Sequence, residues 1–199
     1  MKRLLLSFAT LFLLTACPIR PCGPCETIDF GVINAETLAL LPYANGNHYQ
    51  FKHNAGQLIN FTATRNQETV YNGAEECCPN AVKTQEDNIL LNPDYNLFDI
   101  RFFTQKLRNE NDEDLYLISG SIEHTGNFHI PNATDPTNYE YEMLSNYTIG
   151  TNNYTDVYKI PVYKRETAPT IYVDTVYYNY TKGIIKICMS NDEYYHINE

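Results

Sequence analysis

From residue 48 to the end of the chain, apolar and polar side chains take turns. In "LINFTATRN" Ile59, Phe61 and Ala63 alternate with Asn60, Thr62 and Thr64, and in "NLFDIRFFTQKL" Phe98, Ile100 and Phe102 alternate with Asp99, Arg101 and Phe103. A period of two is the mark of a strand with one face buried and one wet, whereas a helix repeats every 3.6 residues. "NAG" at 54–56 reads as a turn joining two such strands, and "DLYLISGSIEHTGNFHI" as two strands about a turn containing Gly126. "YEMLSNYTIGTNNYTDVYKIPVY" gives two more around Gly150 to Asn153. "TIYVDTVYYNYTKGIIKICMSNDEYYHI" gives three, broken at Thr181-Lys182-Gly183 and at Ser190-Asn191-Asp192. One brief helix is expected at residues 35 to 40, and the charged stretch "RNENDEDLY" reads as a solvated hairpin loop. Turn signals at short, regular intervals without a sustained helical period predict an all-β, antiparallel domain over residues 28–199. Its form is either a sandwich or a curved half-open barrel.

The first residues follow a different rule. Met1-Lys2-Arg3 is followed by the apolar run "LLLSFATLFLL" and then by Leu14-Thr15-Ala16-Cys17. The run is shorter than the about 20 residues a membrane-spanning helix needs but suits a signal peptide. The tetrad resembles the lipobox of bacterial lipoproteins, which implies cleavage after residue 16 and acylation of the Cys17 thiol. Two or three acyl chains form an effectively permanent membrane anchor. Residues 17–27, rich in proline, then act as a short stiff tether. Pro18 stands where an aspartate would argue for inner-membrane retention, and no acidic run follows Cys17. The expectation is therefore outer-membrane attachment on the periplasmic side.

Charge narrows the partners. The chain of 199 residues carries a formal net charge of -10, with 17 tyrosines and no tryptophan. Such an acidic surface repels phosphodiester backbones, so nucleic acid is not an expected partner. Six cysteines are present. With Cys17 assigned to lipid, Cys22, Cys25, Cys77 and Cys78 are disulfide candidates in an exported compartment, with connectivity left open. A bridge from the tether to the Cys77-Cys78 pair would close a loop of about 50 residues, for which chain entropy gives roughly 4 kcal/mol. Cys188, inside "IIKICM", is expected to be a buried small hydrophobe in a strand.

Cys22-Gly-Pro-Cys25 resembles the thioredoxin motif over four residues, and that resemblance implies a thiol-disulfide oxidoreductase as the alternative function. Thioredoxin chemistry needs the thiolate at a helix N-terminus in a βαβ context, and the sequence before the motif has no room for one. Adjacent cysteines also chelate poorly, so no metal site and no cofactor are assigned. His124 and His129 flank a turn that a hairpin would draw together, and His48 and His53 lie five apart. Both pairs are read as ordinary surface or edge histidines, no serine sits in a nucleophile elbow, and no catalytic residue is assigned.

"LPYANGNHYQFKHNAGQLINF", "YTDVYKI" and "VYYNYTKGIIKI", followed by a closing strand, resemble the order of segments in uncharacterised lipoproteins of the Bacteroidota. That likeness implies a lipid-anchored envelope protein and transfers no catalytic residue. The architecture is also similar by analogy to the half-open barrels of the LolA and LolB lipid carriers, which keeps a periplasmic lipid carrier as a further alternative. The expected function is thus non-enzymatic, structural or ligand-binding, with an envelope protein or a glycan as partner. Tyr177, Tyr178, Tyr180, Tyr194 and Tyr195 read as alternating core and edge residues, and a stacking platform for sugars or peptides is the alternative they offer.

Overall fold

In the computed structural model, residues 27–72, 81–95, 97–108, 114–132 and 139–199 are described. In chain order the elements are β1 (Thr27–Asp29), α1 (Ala35–Ala39), β2 (His48–His53), β3 (Leu58–Asn72), β4 (Ala81–Pro93), β5 (Ile100–Arg108) and β6 (Asp114–Ile122). They continue with β7 (Gly126–His129), β8 (Glu142–Ile149), β9 (Asn152–Pro161), β10 (Tyr163–Lys164), β11 (Val173–Asn179), β12 (Gly183–Met189) and β13 (Tyr194–Ile197). A single sheet runs β10-β7-β6-β5-β4-β3-β2-β13-β12-β11-β9-β8, antiparallel throughout, with β1 added in parallel to β4. The fold is therefore the curled half-barrel, not the sandwich.

The curl is fastened by one strand that changes partners. Pro161 at the end of β9 pairs with Thr175 of β11, and the Val162 amide donates to the Asp174 carbonyl at 2.8 Å. One residue later, Tyr163 and Lys164 pair with Asn127 and Gly126 of β7, at the far end of the sheet order. The Arg165 amide extends that contact, donating to Thr125 at 2.9 Å. Gly126 permits this seam, because a Cβ there would lie 2.3 Å from the Tyr163 carbonyl oxygen.

Inside the curl, alternate positions converge as the sequence pattern requires. Phe51, Ile59, Phe61, Ile100, Phe102, Ile118, Phe128, Val176 and Ile187 are all buried in one cluster. Phe102 is the hub of its rings, stacked on Tyr43 at 4.9 Å and edge-on to Phe128 at 6.0 Å. Offset and edge-to-face contacts of this kind add about 0.5–1.5 kcal/mol each beyond the area buried.

One end of the curl is stoppered by α1 and the segment after it. Asn34 caps the helix, its side chain accepting from the Thr37 amide at 2.7 Å. Leu41 and Tyr43 then enter the core. The Tyr43 hydroxyl accepts from the Ile184 amide at 2.7 Å, and the Tyr178 hydroxyl donates to the Leu40 carbonyl at 2.6 Å. Gly183, with φ +81, is required beneath this contact, since a Cβ there would sit 2.3 Å from the Tyr43 hydroxyl. Arg65 holds the same segment from below. Its guanidinium donates to the carbonyls of Leu38, Leu41 and Tyr43 at 3.0, 3.1 and 3.2 Å, and to fully buried Asp87 at 2.7 to 3.1 Å.

Two departures from the sequence reading have physical causes. The strand β4 escapes the alternation rule because two of its buried positions are polar: Thr84, which donates to the Lys106 carbonyl at 3.2 Å, and Asp87, held by Arg65. Cys188 does lie in a strand and is a free thiol, but it is half-buried, not buried. Ile187 takes the inward position, which leaves Cys188 on the other face, in register with Thr175.

Candidate functional site

The thiols that carried the sequence argument, Cys17, Cys22, Cys25, Cys77 and Cys78, all lie outside the described residues, as does much of the "RNENDEDLY" loop. The described chain contains no βαβ unit of the kind a thioredoxin thiolate requires. Burial raises the pKa of the Cys188 thiol, with Asp174 adding to the effect, so this sulfur is a poor nucleophile at neutral pH.

The histidines do not converge. His124 is 82% exposed, 3.4 Å from Glu123, while His129 lies flat on the Tyr139 ring at a centroid distance of 3.5 Å. His48 meets the Thr62 hydroxyl at 3.0 Å, and His53 packs on Tyr195 at 4.7 Å. Among the described residues no three of His, Cys, Asp or Glu are grouped to hold a metal ion, and no helix is long and apolar enough to cross a membrane.

The tyrosines divide by face. Tyr178 and Tyr195 point into the core, whereas Tyr177 and Tyr194, one position earlier in each strand, stay half-exposed on the other face. Core and edge positions alternate here as expected, which splits the alternative stacking platform, and tyrosines gather instead at two separate recesses.

The first recess, about 460 Å³, lies beside α1. Tyr116, Tyr141, Tyr158 and Tyr180 line it together with Leu40, Asn34, Asn132 and Glu36. Tyr158 bridges its neighbours, 5.7 Å from the Tyr141 ring and 5.0 Å from the Tyr180 ring. The Tyr180 hydroxyl donates to the Pro131 carbonyl, and burial with the Tyr158 contact pushes its pKa well above the ordinary tyrosine range. The four tyrosines offer ring faces and hydroxyls to a ligand. Tyr180 was singled out from sequence; Tyr116, Tyr141 and Tyr158 were not, because they come from β6, the segment before β8, and β9.

The second recess, about 380 Å³, opens beside the β8–β9 turn, between Thr148, Ile149 and Gly150 on one side and Lys52, Lys186, Tyr194 and His196 on the other, with Tyr147 in its wall. Lys186 is its centre. The ammonium nitrogen is 4.5, 5.4 and 5.8 Å from the ring centres of Tyr194, Tyr177 and Tyr147, and it donates to the Tyr147 hydroxyl at 3.1 Å. Burial alone pulls its pKa down, but the Tyr147 hydrogen bond and the surrounding groups outweigh this, so the pKa stands above the ordinary lysine value. Lys186 is therefore charged at neutral pH.

Compared with protein-family models, with curated proteins and with solved structures, the chain matches none. The fold and the two tyrosine-lined recesses therefore carry the functional reading.

Proposed function

We propose that this protein is a lipid-anchored component of the bacterial outer membrane, held by acyl chains on Cys17 and facing the periplasm, which binds an envelope ligand without transforming it. The observation that carries the binding half of this reading is the four-tyrosine recess beside α1, where ring faces and the Asn34, Asn132 and Glu36 side chains line one cavity. A few convergent polar groups on an aromatic wall are the usual composition of a small-ligand site, and a glycan or a peptide side chain fits it. The packing of Phe51, Phe61, Phe102, Phe128 and Tyr178 into the curl argues against the lipid-carrier alternative, because acyl chains would have to displace them.

The anchor is tested by growth of an expressing Gram-negative host on radiolabelled palmitate. The full chain is expected to take up label and to sediment with outer membranes, while Cys17→Ala does neither. Retention of the first sixteen residues, or an unmodified thiol at position 17, would overturn it. The site is tested by tyrosine fluorescence, free of tryptophan background in this protein, during titration with envelope glycan fragments. A response lost in Tyr158→Ala supports the recess, and a response that survives it does not.

A further inference from the structure

The register of four neighbouring strands places a row of side chains on one face of the sheet that no linear motif reveals. Tyr177 of β11 is the direct partner of Lys186 in β12, Lys186 is the partner of His196 in β13, and His196 is the partner of Lys52 in β2. Adjacent strands lie about 4.8 Å apart, so Lys186 and Lys52 are about 10 Å apart along the row with an imidazole between them. Tyr194 and Tyr147 flank it, and the recess of about 380 Å³ opens over it. The whole chain carries a formal charge of -10, yet among the described residues no carboxylate lines this recess.

Other lysines in the molecule show what is missing. Lys159 meets Glu142 at 2.9 Å, Lys83 meets Asp29 at 2.6 Å, Lys106 meets Asp114 at 2.8 Å and Lys182 meets Glu199 at 2.5 Å. Lys186 is half-buried among three tyrosine rings, and its one hydrogen bond among the described residues goes to the Tyr147 hydroxyl. Two of its three N–H donors remain for another acceptor. The His196 Nδ1–H donates to the Ile197 carbonyl at 3.0 Å, which leaves Nε2 as its free ring nitrogen. Aromatic faces beside paired cations are the chemistry that receives a sugar ring bearing a negative group: the C–H face of the pyranose lies on a ring and the anion accepts charge-assisted hydrogen bonds.

We infer that the row Lys186–His196–Lys52, walled by Tyr147 and Tyr194, is a binding site for an acidic glycan of the uronic-acid type, with one carboxylate on Lys186 and a second reaching toward Lys52. This goes beyond the proposed function in ligand chemistry and in place, and rests on it only for the envelope setting in which such a glycan would be met. The two lysines are too far apart for carboxylates on adjacent sugar units and suit acidic units with one sugar between them on an extended chain.

The test is a titration of the full chain, purified in detergent, with tetragalacturonate, with neutral cellotetraose and with phosphatidylglycerol vesicles. Tetragalacturonate is expected to bind, more weakly as salt rises, and cellotetraose to bind at least about tenfold less well, the equivalent of losing one charged hydrogen bond. Lys186→Gln should weaken tetragalacturonate about tenfold or more and Lys52→Gln by a smaller factor. The latter change is on an exposed side chain, so it keeps the test valid if Lys186→Gln folds poorly. Equal binding of the neutral sugar, an unchanged affinity in both variants, or binding confined to vesicles would overturn the proposal. Failure here would leave the Cys17 acylation result untouched, and absence of acylation would leave the titration untouched.

Discussion

Arg65 and Lys186 are both cations drawn partly out of water in an acid-rich protein, and they are treated in opposite ways. Arg65, 18% exposed, has its guanidinium shared between the buried carboxylate of Asp87 and three main-chain carbonyls in and just after α1. Each donor has an acceptor, and the result is a clamp that fixes the stopper segment to β3 and β4. Lys186 has rings and one phenol. A buried charge that the fold itself satisfies is part of the scaffold, whereas one left with spare donors at a recess is available to a ligand.

The largest effect expected from breaking this contrast is on the clamp. Asp87→Ala removes the only carboxylate facing Arg65 among the described residues and should lower unfolding free energy by about 3–5 kcal/mol, the range for stripping a buried charge of its partner. Urea denaturation reads it directly. Next comes Gly183→Ala, which imposes a side chain on a left-handed backbone and displaces Tyr43 from the Ile184 amide. The expected loss is about 1–3 kcal/mol by the same assay.

An alkaline limb should follow from the stopper tyrosines. Burial raises the folded-state pKa of Tyr43, Tyr178 and Tyr180. Their stabilising contribution is therefore complete below the unfolded tyrosine value of about 10 and is lost as pH climbs above it, when only the unfolded chain sheds protons freely. Stability measured from pH 9 to pH 11 should fall, and Tyr178→Phe should flatten that fall. The smallest effect is expected at the other cation, where Lys186→Gln should move stability by only about 0.5 kcal/mol because no ion pair is broken.

The antiparallel strands were legible in the sequence, since Ile59, Phe61 and Ala63 in β3 and Phe98 to Phe102 leading into β5 declare their buried face by alternation alone, but that alternation is the same in a sandwich and in a curl. The turn at 54–56 and the breaks at 181–183 and 190–192 were legible because glycine, asparagine and aspartate mark them. What stayed hidden was set by partners distant in sequence. Asp87 looks like a surface acid until Arg65 is placed beside it. The β10 strand is two residues long and exists only because Gly126 lets the chain approach β7 closely. Tyr177 and Tyr194 were visible as aromatic residues, but their union with Lys186, His196 and Lys52 depends on register across four strands. No local pattern encodes that register.

The most direct measurement is a side-by-side urea denaturation of Arg65→Gln and Lys186→Gln in the full chain. The account predicts a fall of about 3–5 kcal/mol for Arg65→Gln, which strands the buried Asp87 carboxylate, and a midpoint for Lys186→Gln close to the parent protein. Equal destabilisation by the two substitutions would contradict it, because Lys186 would then be a scaffold residue like Arg65 and not a group held open for a ligand.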